Sequence, residues 1–121
     1  MTEDKNSKQY DLEERTLRFA QRVRIFVKKL SKTLANIEDS KQLVNSSGSV
    51  GANYIEANEA LSKKDFLMRI KICRKEAKES RYWLRLVDID ENGELEQERK
   101  TLEKEACELT HIFGSIVTKS K

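Results

Sequence analysis

Apolar residues recur at alternating steps of four and three along most of the chain, the spacing of one face of an α-helix. The first such row predicts a helix over about residues 10–32. Further rows predict a second helix from an N-cap at Asn36 to about Ala60, a third starting at Ser62, and a fourth after a turn at residues 88–93. The pattern therefore predicts four amphipathic helices joined by short turns.

Helices of this length with short connections must pack antiparallel to bury their apolar faces. The chain contains no proline and four glycines, so few residues interrupt helices. The fold predicted is all-α, an antiparallel up-down-up-down four-helix bundle. We expect one domain over residues 10–119, preceded by a polar, disordered tail over residues 1–9.

One stretch of the second predicted helix, residues 44–55, carries no charge, although 37% of the residues are Asp, Glu, Lys or Arg. In a helix it offers small side chains on three sides, which allows neighbouring backbones to approach closely. By propensity alone, Gly48, Gly51 and the serines favour a loop. The local sequence leaves both interpretations open.

The first predicted helix is strongly basic, since no acidic residue follows Glu14 before its end. Cations at helical spacing can follow a phosphate backbone, which makes this face a candidate for binding nucleic acid. The alternative is a solvated face, or one paired with acids of the fourth helix. The candidate binding residues are Arg15, Arg18, Arg22, Arg24, Lys28 and Lys29; the candidate acidic partners are Glu98, Glu105 and Glu108; and aromatic residues available for stacking are Tyr10, Tyr82 and Trp83.

A second set of polar residues is predicted to converge between the second and third helices. One interpretation is a hydrogen-bonded network that fixes the helix register. The other is a functional site with paired carboxylates of shifted pKa, although no nucleophile or cofactor motif accompanies it. The residues of this set are Asn53, Glu56, Glu76, Glu79 and Arg81.

The sequence favours neither a metal site nor a cofactor. The turn Asp88-x-Asp90-x-Asn92-Gly93 copies the first half of an EF-hand loop, but Arg99 stands where a bidentate Glu must close the calcium shell. The chain has one histidine, and its two cysteines lack CxxC spacing, which indicates reduced thiols. Neither a membrane span nor a signal peptide is visible, so a cytoplasmic protein is expected.

Several motifs together resemble the four helix bundle protein family, whose members include proteins encoded in intervening sequences of bacterial 23S ribosomal RNA. The resemblance covers about residues 10–117. It implies that residues 43–57 are helical, that Asn53 and Glu56 match the family's Asn and Glu on helix two, and that Glu76 and Glu79 match its helix-three acids. The segments that carry the resemblance are Leu43–Ala57, Ser62–Phe66, Lys75–Ser80 and Tyr82–Leu84.

The same resemblance implies a function. Members of the family form ring-shaped homo-oligomers, commonly pentamers, and a related accessory protein of diversity-generating retroelements binds nucleic acid and works with a reverse transcriptase. A non-enzymatic ring that binds RNA or DNA through a basic surface is thus expected. The alternative is an adaptor that recruits a protein, such as a reverse transcriptase or a ribosome-associated factor, without contacting nucleic acid.

Overall fold

A computed structural model describes the backbone of residues 3–121 and the side chains from Leu12 onward. The described residues form four α-helices and no strand, which confirms the predicted all-α bundle. Helix α1 begins ahead of the predicted start near residue 10, and the tail prediction for residues 1–9 lies outside the residues whose side chains are described. The helices are α1 (Glu3–Lys28), α2 (Leu34–Asn58), α3 (Lys63–Leu86) and α4 (Gly93–Ser120).

Each helix packs against its two neighbours in a closed square, with contacts α1–α2, α2–α3, α3–α4 and α4–α1. The apolar stripes meet at the centre, where burial of each large side chain contributes roughly 1.5–3 kcal/mol. The Tyr54 and Phe113 rings bring α2 and α4 together across the core, with centroids 5.8 Å apart. The largest fully buried apolar side chains are Phe19, Phe26, Phe113, Leu43, Ile70, Leu84 and Leu109.

The uncharged stretch at residues 44–55 is helical and lies within α2. The loop interpretation is therefore wrong, because tertiary packing outweighs the low helix propensity of Gly and Ser. Gly51 is required by a close approach of α1: a Cβ at this position would lie 2.9 Å from the Thr16 hydroxyl oxygen. On another side of α2 the buried Ser46 and Ser80 hydroxyl oxygens lie 2.9 Å apart, which joins α2 to α3.

The N-cap of α2 is Thr33, whose hydroxyl accepts a hydrogen bond from the Asn36 backbone N–H at 3.1 Å. The prediction of Asn36 as the cap was wrong. The side chain of Asn36 is instead buried and joins two connections of the bundle: its amide donates to the carbonyls of Ser31 and Asp88, and its carbonyl accepts from the Asp88 N–H. By contrast Ser62 caps α3 as predicted, accepting from the Asp65 N–H at 3.1 Å.

Candidate nucleic-acid interface

Two of the cations predicted on α1 to bind nucleic acid are engaged within the bundle. Arg15 donates to Glu105 through Nε at 2.7 Å and to Glu108 through Nη2 at 2.8 Å. The hydrogen bond to Glu105 is the main cause that raises the pKa of Arg15. Lys29 lies 2.6 Å from Glu98. Pairing with acids of the fourth helix was the alternative to nucleic-acid binding that the sequence left open. These ion pairs reduce the positive potential on this side of α1.

The other predicted cations of α1 are exposed. Arg18 makes a contact of 3.5 Å with Glu14 but keeps 71% of its side chain exposed. The Arg24 guanidinium donates to the Ala20 carbonyl at 3.1 Å and lies above Gly48. Within the described residues, no carboxylate forms an ion pair with Arg22, Arg24 or Lys28. The basic surface of α1 is thus smaller than its sequence indicates.

The largest concentration of positive charge lies on α3 instead. This helix has nine Lys or Arg residues and three acidic ones, an excess of six positive charges in a chain whose net charge is +3. Five of these cations are exposed and line one side of an open cleft of about 610 Å³ between α3 and α4. We call this surface the α3 cationic face: Lys71, Arg74, Lys75, Lys78 and Arg81.

The opposite side of the cleft carries no carboxylate. It is lined by Cys107, Thr110 and His111 of α4, and the aliphatic part of Arg74 lies close to Gly114, where a Cβ would be 3.6 Å from its Cδ. The one described ion pair of the α3 cationic face is between Lys75 and its sequence neighbour Glu76, at 3.6 Å. Four of the five cations therefore have no described anionic partner.

The position of α4 explains this difference between the two basic helices. Glu98, Glu105 and Glu108 recur at steps of seven and three, so they share the edge of α4 that faces α1. Residues 107, 110, 111 and 114 share the edge that faces α3. Glu103 lies on the same edge and contacts Arg85, near the end of α3, at 3.8 Å. The acids of α4 therefore neutralise cations on both neighbours, but none of these four acids lines the cleft beside the α3 cationic face, which is left free to attract an anion.

The polar set predicted between α2 and α3 does not converge in the described residues. Asn53 accepts from Arg69 at 2.9 Å and donates to the Ser49 carbonyl, whereas Glu56 and Glu79 are exposed and Glu76 contacts Lys75. No hydrogen bond or ion pair joins Asn53, Glu56, Glu76, Glu79 and Arg81 to one another. Arg81 belongs instead to the α3 cationic face.

Other groups fix the register that the polar set was expected to fix. Glu56 lies on the outer side of α2, away from the buried row that contains Tyr54 and Ala57. Polar contacts between α2 and α3 are made by the two buried serines, by Asn53 with Arg69, and by the Cys73 thiol, whose Sγ lies 3.4 Å from the Val50 carbonyl oxygen.

Sequence reasoning missed Lys71, Lys75 and Lys78 as candidate binding residues, although their helical spacing was visible. It favoured α1 because that helix lacks acids over a longer run. The decisive information was which edge of α4 each acid occupies, and that depends on how the helices are arranged in the bundle. Local charge alone did not separate paired cations from free ones.

The acidic turn between α3 and α4 is closed by internal contacts. The Asp88 carboxylate accepts from the Asp90 N–H, and Asp90 contacts the Ser31 hydroxyl. Arg99 donates to the Val87 carbonyl at 3.3 Å. Within residues 12–121, no group of three or more His, Cys, Asp or Glu side chains is placed to hold a metal ion. No helix in the described part of the chain is long and apolar enough to cross a membrane.

Comparisons with known proteins agree with this fold. A family model described as 23S rRNA-intervening sequence protein matches residues 8–115. A crystal structure of a protein of unknown function from the S23 ribosomal protein family of Bacteroides thetaiotaomicron is similar with a TM-score of 0.75 and 31% identity, covering 88% of this chain and 97% of that one. Comparison with proteins of curated function finds no match. The chain belongs to the 23S rRNA-intervening sequence protein family.

Proposed function

We propose that this protein is a non-enzymatic, cytoplasmic, self-associating bundle that binds RNA or DNA electrostatically. The observation that carries the proposal is the α3 cationic face, where exposed cations line a cleft whose opposite side has no carboxylate. Phosphates of a nucleic acid would replace the anionic partners that the cations on this face lack. The exposed cations of α1, Arg18, Arg22, Arg24 and Lys28, would add to the long-range attraction.

The length of the face suits a short segment of nucleic acid. Lys71 and Arg81 are ten residues apart, or about 15 Å along the helix axis at 1.5 Å per residue. Their exposed ammonium and guanidinium groups reach several consecutive phosphates of one strand. A contact of this kind is weak in one subunit and depends strongly on salt, because each neutralised phosphate releases condensed counterions.

Self-association would add these weak contacts together. It is supported by large apolar side chains on the surface of the α1–α2 half of the bundle. Ile37 and Ile55 are 41% and 52% exposed and lie on the same side of α2, since 18 residues make about five turns. Leu34 and Leu17 are 79% and 50% exposed. Apolar surface of this kind is typical of sites where protein copies meet.

The first test of the proposal is a salt titration of nucleic-acid binding. Fluorescence anisotropy with a labelled RNA and a labelled DNA is expected to show binding at about 50 mM salt that falls steeply by about 200 mM. The slope of log Kd against log salt counts the phosphates contacted, at about 0.7 per phosphate for a single strand. Absence of salt-sensitive binding to both polymers contradicts the proposal.

The second test concerns assembly. Solution mass is expected to be a multiple of the 14.1 kDa chain mass, and a pentamer would give about 70 kDa. Ile37→Lys with Ile55→Lys should lower the mass and, through loss of avidity, the affinity for nucleic acid. Thr101→Lys with Ser115→Lys, two exposed positions on α4, adds the same charge away from these isoleucines and serves as the control for general surface changes. An unchanged mass in the isoleucine variant contradicts this interface.

A protein-binding adaptor is the second candidate, and the exposed apolar surface of α1 and α2 favours it. A groove of about 460 Å³ between these helices is lined in part by Val27, Leu30, Ile37 and Val44. If that surface recruits a partner protein, binding of the partner should resist salt and survive charge reversal at Lys71 and Lys78. Nucleic-acid binding through the cationic surfaces should do neither.

A further inference from the structure

An aromatic side chain lies at the C-terminal end of the α3 cationic face, directly after Arg81. Tyr82 is 58% exposed, although an aromatic ring gains most when it is buried. It follows Lys78 by one helical turn and Lys75 by two, and it precedes Arg85 by three residues. These spacings place the phenol ring on the same solvent-facing side of α3 as Lys75 and Lys78, with the exposed Glu79 three residues before it.

The Tyr82 ring is held in place by its neighbour. Trp83 packs against the hydrophobic core, and its ring meets that of Tyr82 edge to face, with centroids 5.0 Å apart and an interplanar angle of 77°. In this arrangement one ring is fixed in the fold and the other is presented to solvent. Less side-chain entropy is then lost when a flat ligand stacks on Tyr82.

We infer that Tyr82 is a stacking platform for unpaired bases, so that the α3 cationic face binds single-stranded nucleic acid in preference to a duplex. This inference rests on the proposed function and specifies its ligand. Lysine and arginine side chains around the ring hold phosphates, and the ring stacks on a base between them. In a duplex the bases are already paired and stacked, so the ring has no base face to contact, and only the phosphates contribute.

The combination of a cationic surface with an exposed aromatic ring is the one that single-strand-binding proteins use. A cationic surface alone does not discriminate strongly between single strands, duplexes and other polyanions. Base stacking contributes about a five- to tenfold gain in affinity or more for each base, whatever the base identity. Preference for single strands without strong sequence preference is the expected signature.

The test compares two ligands and two substitutions in the full chain. The ligands are a labelled 12-nucleotide single strand and the same strand annealed to its complement, prepared both as RNA and as DNA. The substitutions are Tyr82→Ala and Tyr82→Phe, and inorganic polyphosphate serves as a polyanion without bases. Because the Tyr82 side chain is exposed, both variants should fold, which thermal unfolding followed by circular dichroism checks.

Tyr82→Ala is expected to weaken single-strand binding by about five- to tenfold and to leave duplex and polyphosphate binding unchanged. Tyr82→Phe should bind like the original protein, because it keeps the ring. Equal loss for all ligands, or no loss for any, overturns the inference. So does a change in solution mass on Tyr82→Ala, since the ring would then be a subunit contact. If the unsubstituted protein binds neither the single strand nor the duplex, the proposed function fails as well. If it binds both equally and in a salt-sensitive way, only the role of Tyr82 is overturned.

Discussion

Helices α1 and α3 are both basic, but their cations have different surroundings in the bundle. Arg15 on α1 and Lys29 directly after its end are paired with carboxylates of α4 at 2.6–2.8 Å, and Arg15 has only 27% of its side chain exposed. On α3, the cations of the α3 cationic face meet Cys107, Thr110 and His111 across an open cleft, and the one described ion pair between α3 and α4 joins Arg85 to Glu103 at 3.8 Å. The number of basic residues on a helix therefore does not measure its capacity to bind an anion. What matters is which residues the neighbouring helix presents.

The largest expected effect comes from reversing charge on each helix in turn. Lys71→Glu with Lys78→Glu should weaken nucleic-acid binding by about 30-fold at low salt and lower the salt slope, because two phosphate contacts become repulsive. Arg18→Glu with Arg22→Glu changes the net charge by the same amount but removes only long-range attraction, so about a threefold loss is expected. Fluorescence anisotropy measures both.

Equal losses in these two variants would show that only net charge matters and would contradict the assignment to α3. A greater loss from the α1 variant would restore the interpretation that the sequence favoured. All four positions are exposed, so the helices should form in both variants. Circular dichroism at the same salt concentration serves as the control for folding.

The next effect tests the role of α4 directly. His111→Glu places a carboxylate on the edge of α4 that faces α3, imitating the relation of Glu105 to Arg15. The new carboxylate should pair with cations of the cleft and weaken nucleic-acid binding by about five- to tenfold, measured by anisotropy. His111→Gln is the control, since it removes the imidazole without adding charge and should bind normally. Equal weakening by both variants would point to the imidazole itself.

The converse change removes one of the two anionic partners of Arg15 on α1. Glu105→Gln removes the carboxylate that bonds Arg15 through both Nε and Nη2, in a pair whose side chains are 27% and 18% exposed. The free energy of unfolding should fall by about 1 kcal/mol, as expected for a partly screened pair. Urea unfolding measures this loss. Arg15 keeps its contact with Glu108, so the loss of the Glu105 charge should raise affinity for nucleic acid only slightly. Glu94→Gln, at an exposed site, is the control.

The fold was largely predictable from the sequence because burial repeats with the helix period. The rows through Phe19, Val23 and Phe26 on α1 and through Ile70, Cys73 and Ala77 on α3 are all buried. The alternatives at residues 44–55 were resolved by the family resemblance, since local propensity favoured a loop. The role of Asn36 was missed, because its three bonds to Ser31 and Asp88 join connections far apart in the sequence.

The site was less predictable for the same reason. Arg15 and Lys78 have similar local sequence surroundings, but one meets Glu105 and the other lines a cleft without carboxylates. In the described residues the members of the predicted polar network do not contact one another, because Glu56 and Glu79 are exposed. One position along a helix rotates a side chain by about 100°, which is enough to move it from the core to the surface. Helix periodicity identifies the core well. It locates the flanks of a helix too coarsely to assign partners across a bundle.

Gly51 and Gly114 show that the two sides of the bundle also differ in how tightly they are packed. On the α1 side a Cβ at Gly51 would lie 2.9 Å from the Thr16 hydroxyl oxygen, and that hydroxyl is buried and bonded to the Leu12 carbonyl at 2.8 Å. On the α3 side a Cβ at Gly114 would meet Arg74 at an ordinary 3.6 Å. An added methyl group would therefore be too close to its neighbours where α1 packs against α2, but would fit where Arg74 lies over α4.

Gly51→Ala should therefore destabilise the fold by about 1 kcal/mol net, because overpacking outweighs the gain in helix propensity. Gly114→Ala should stabilise it by up to about 1 kcal/mol, since the propensity gain is unopposed. Chemical denaturation measures the free energy of unfolding of both variants and tests these two signs. Thr16→Ala combined with Gly51→Ala should recover stability relative to Gly51→Ala alone, and failure to recover would place the strain elsewhere.

The smallest effect concerns pH and the core side of α3. The Cys73 thiol is fully buried, and burial raises its pKa from an ordinary 9.0 to about 12. Between these values the unfolded chain loses the proton and the folded chain keeps it, so stability is fully present below about pH 9 and declines as pH rises toward 12. The decline is at most about 1.4 kcal/mol per pH unit.

The inner face of α1, formed by Thr16, Phe19, Val23 and Phe26, has no such group. Urea unfolding at pH 8 and pH 9.5 should therefore show a loss of about 1 kcal/mol or less that Cys73→Ala reduces, although this variant is less stable at both pH values. Tyr54, whose pKa burial also raises, gives a loss of the same sign that remains in the variant. An identical pH dependence in the two proteins would mean that the Cys73 thiol ionises in the folded protein at its ordinary pKa. The inner side of α3 would then be accessible to solvent, as its outer side is.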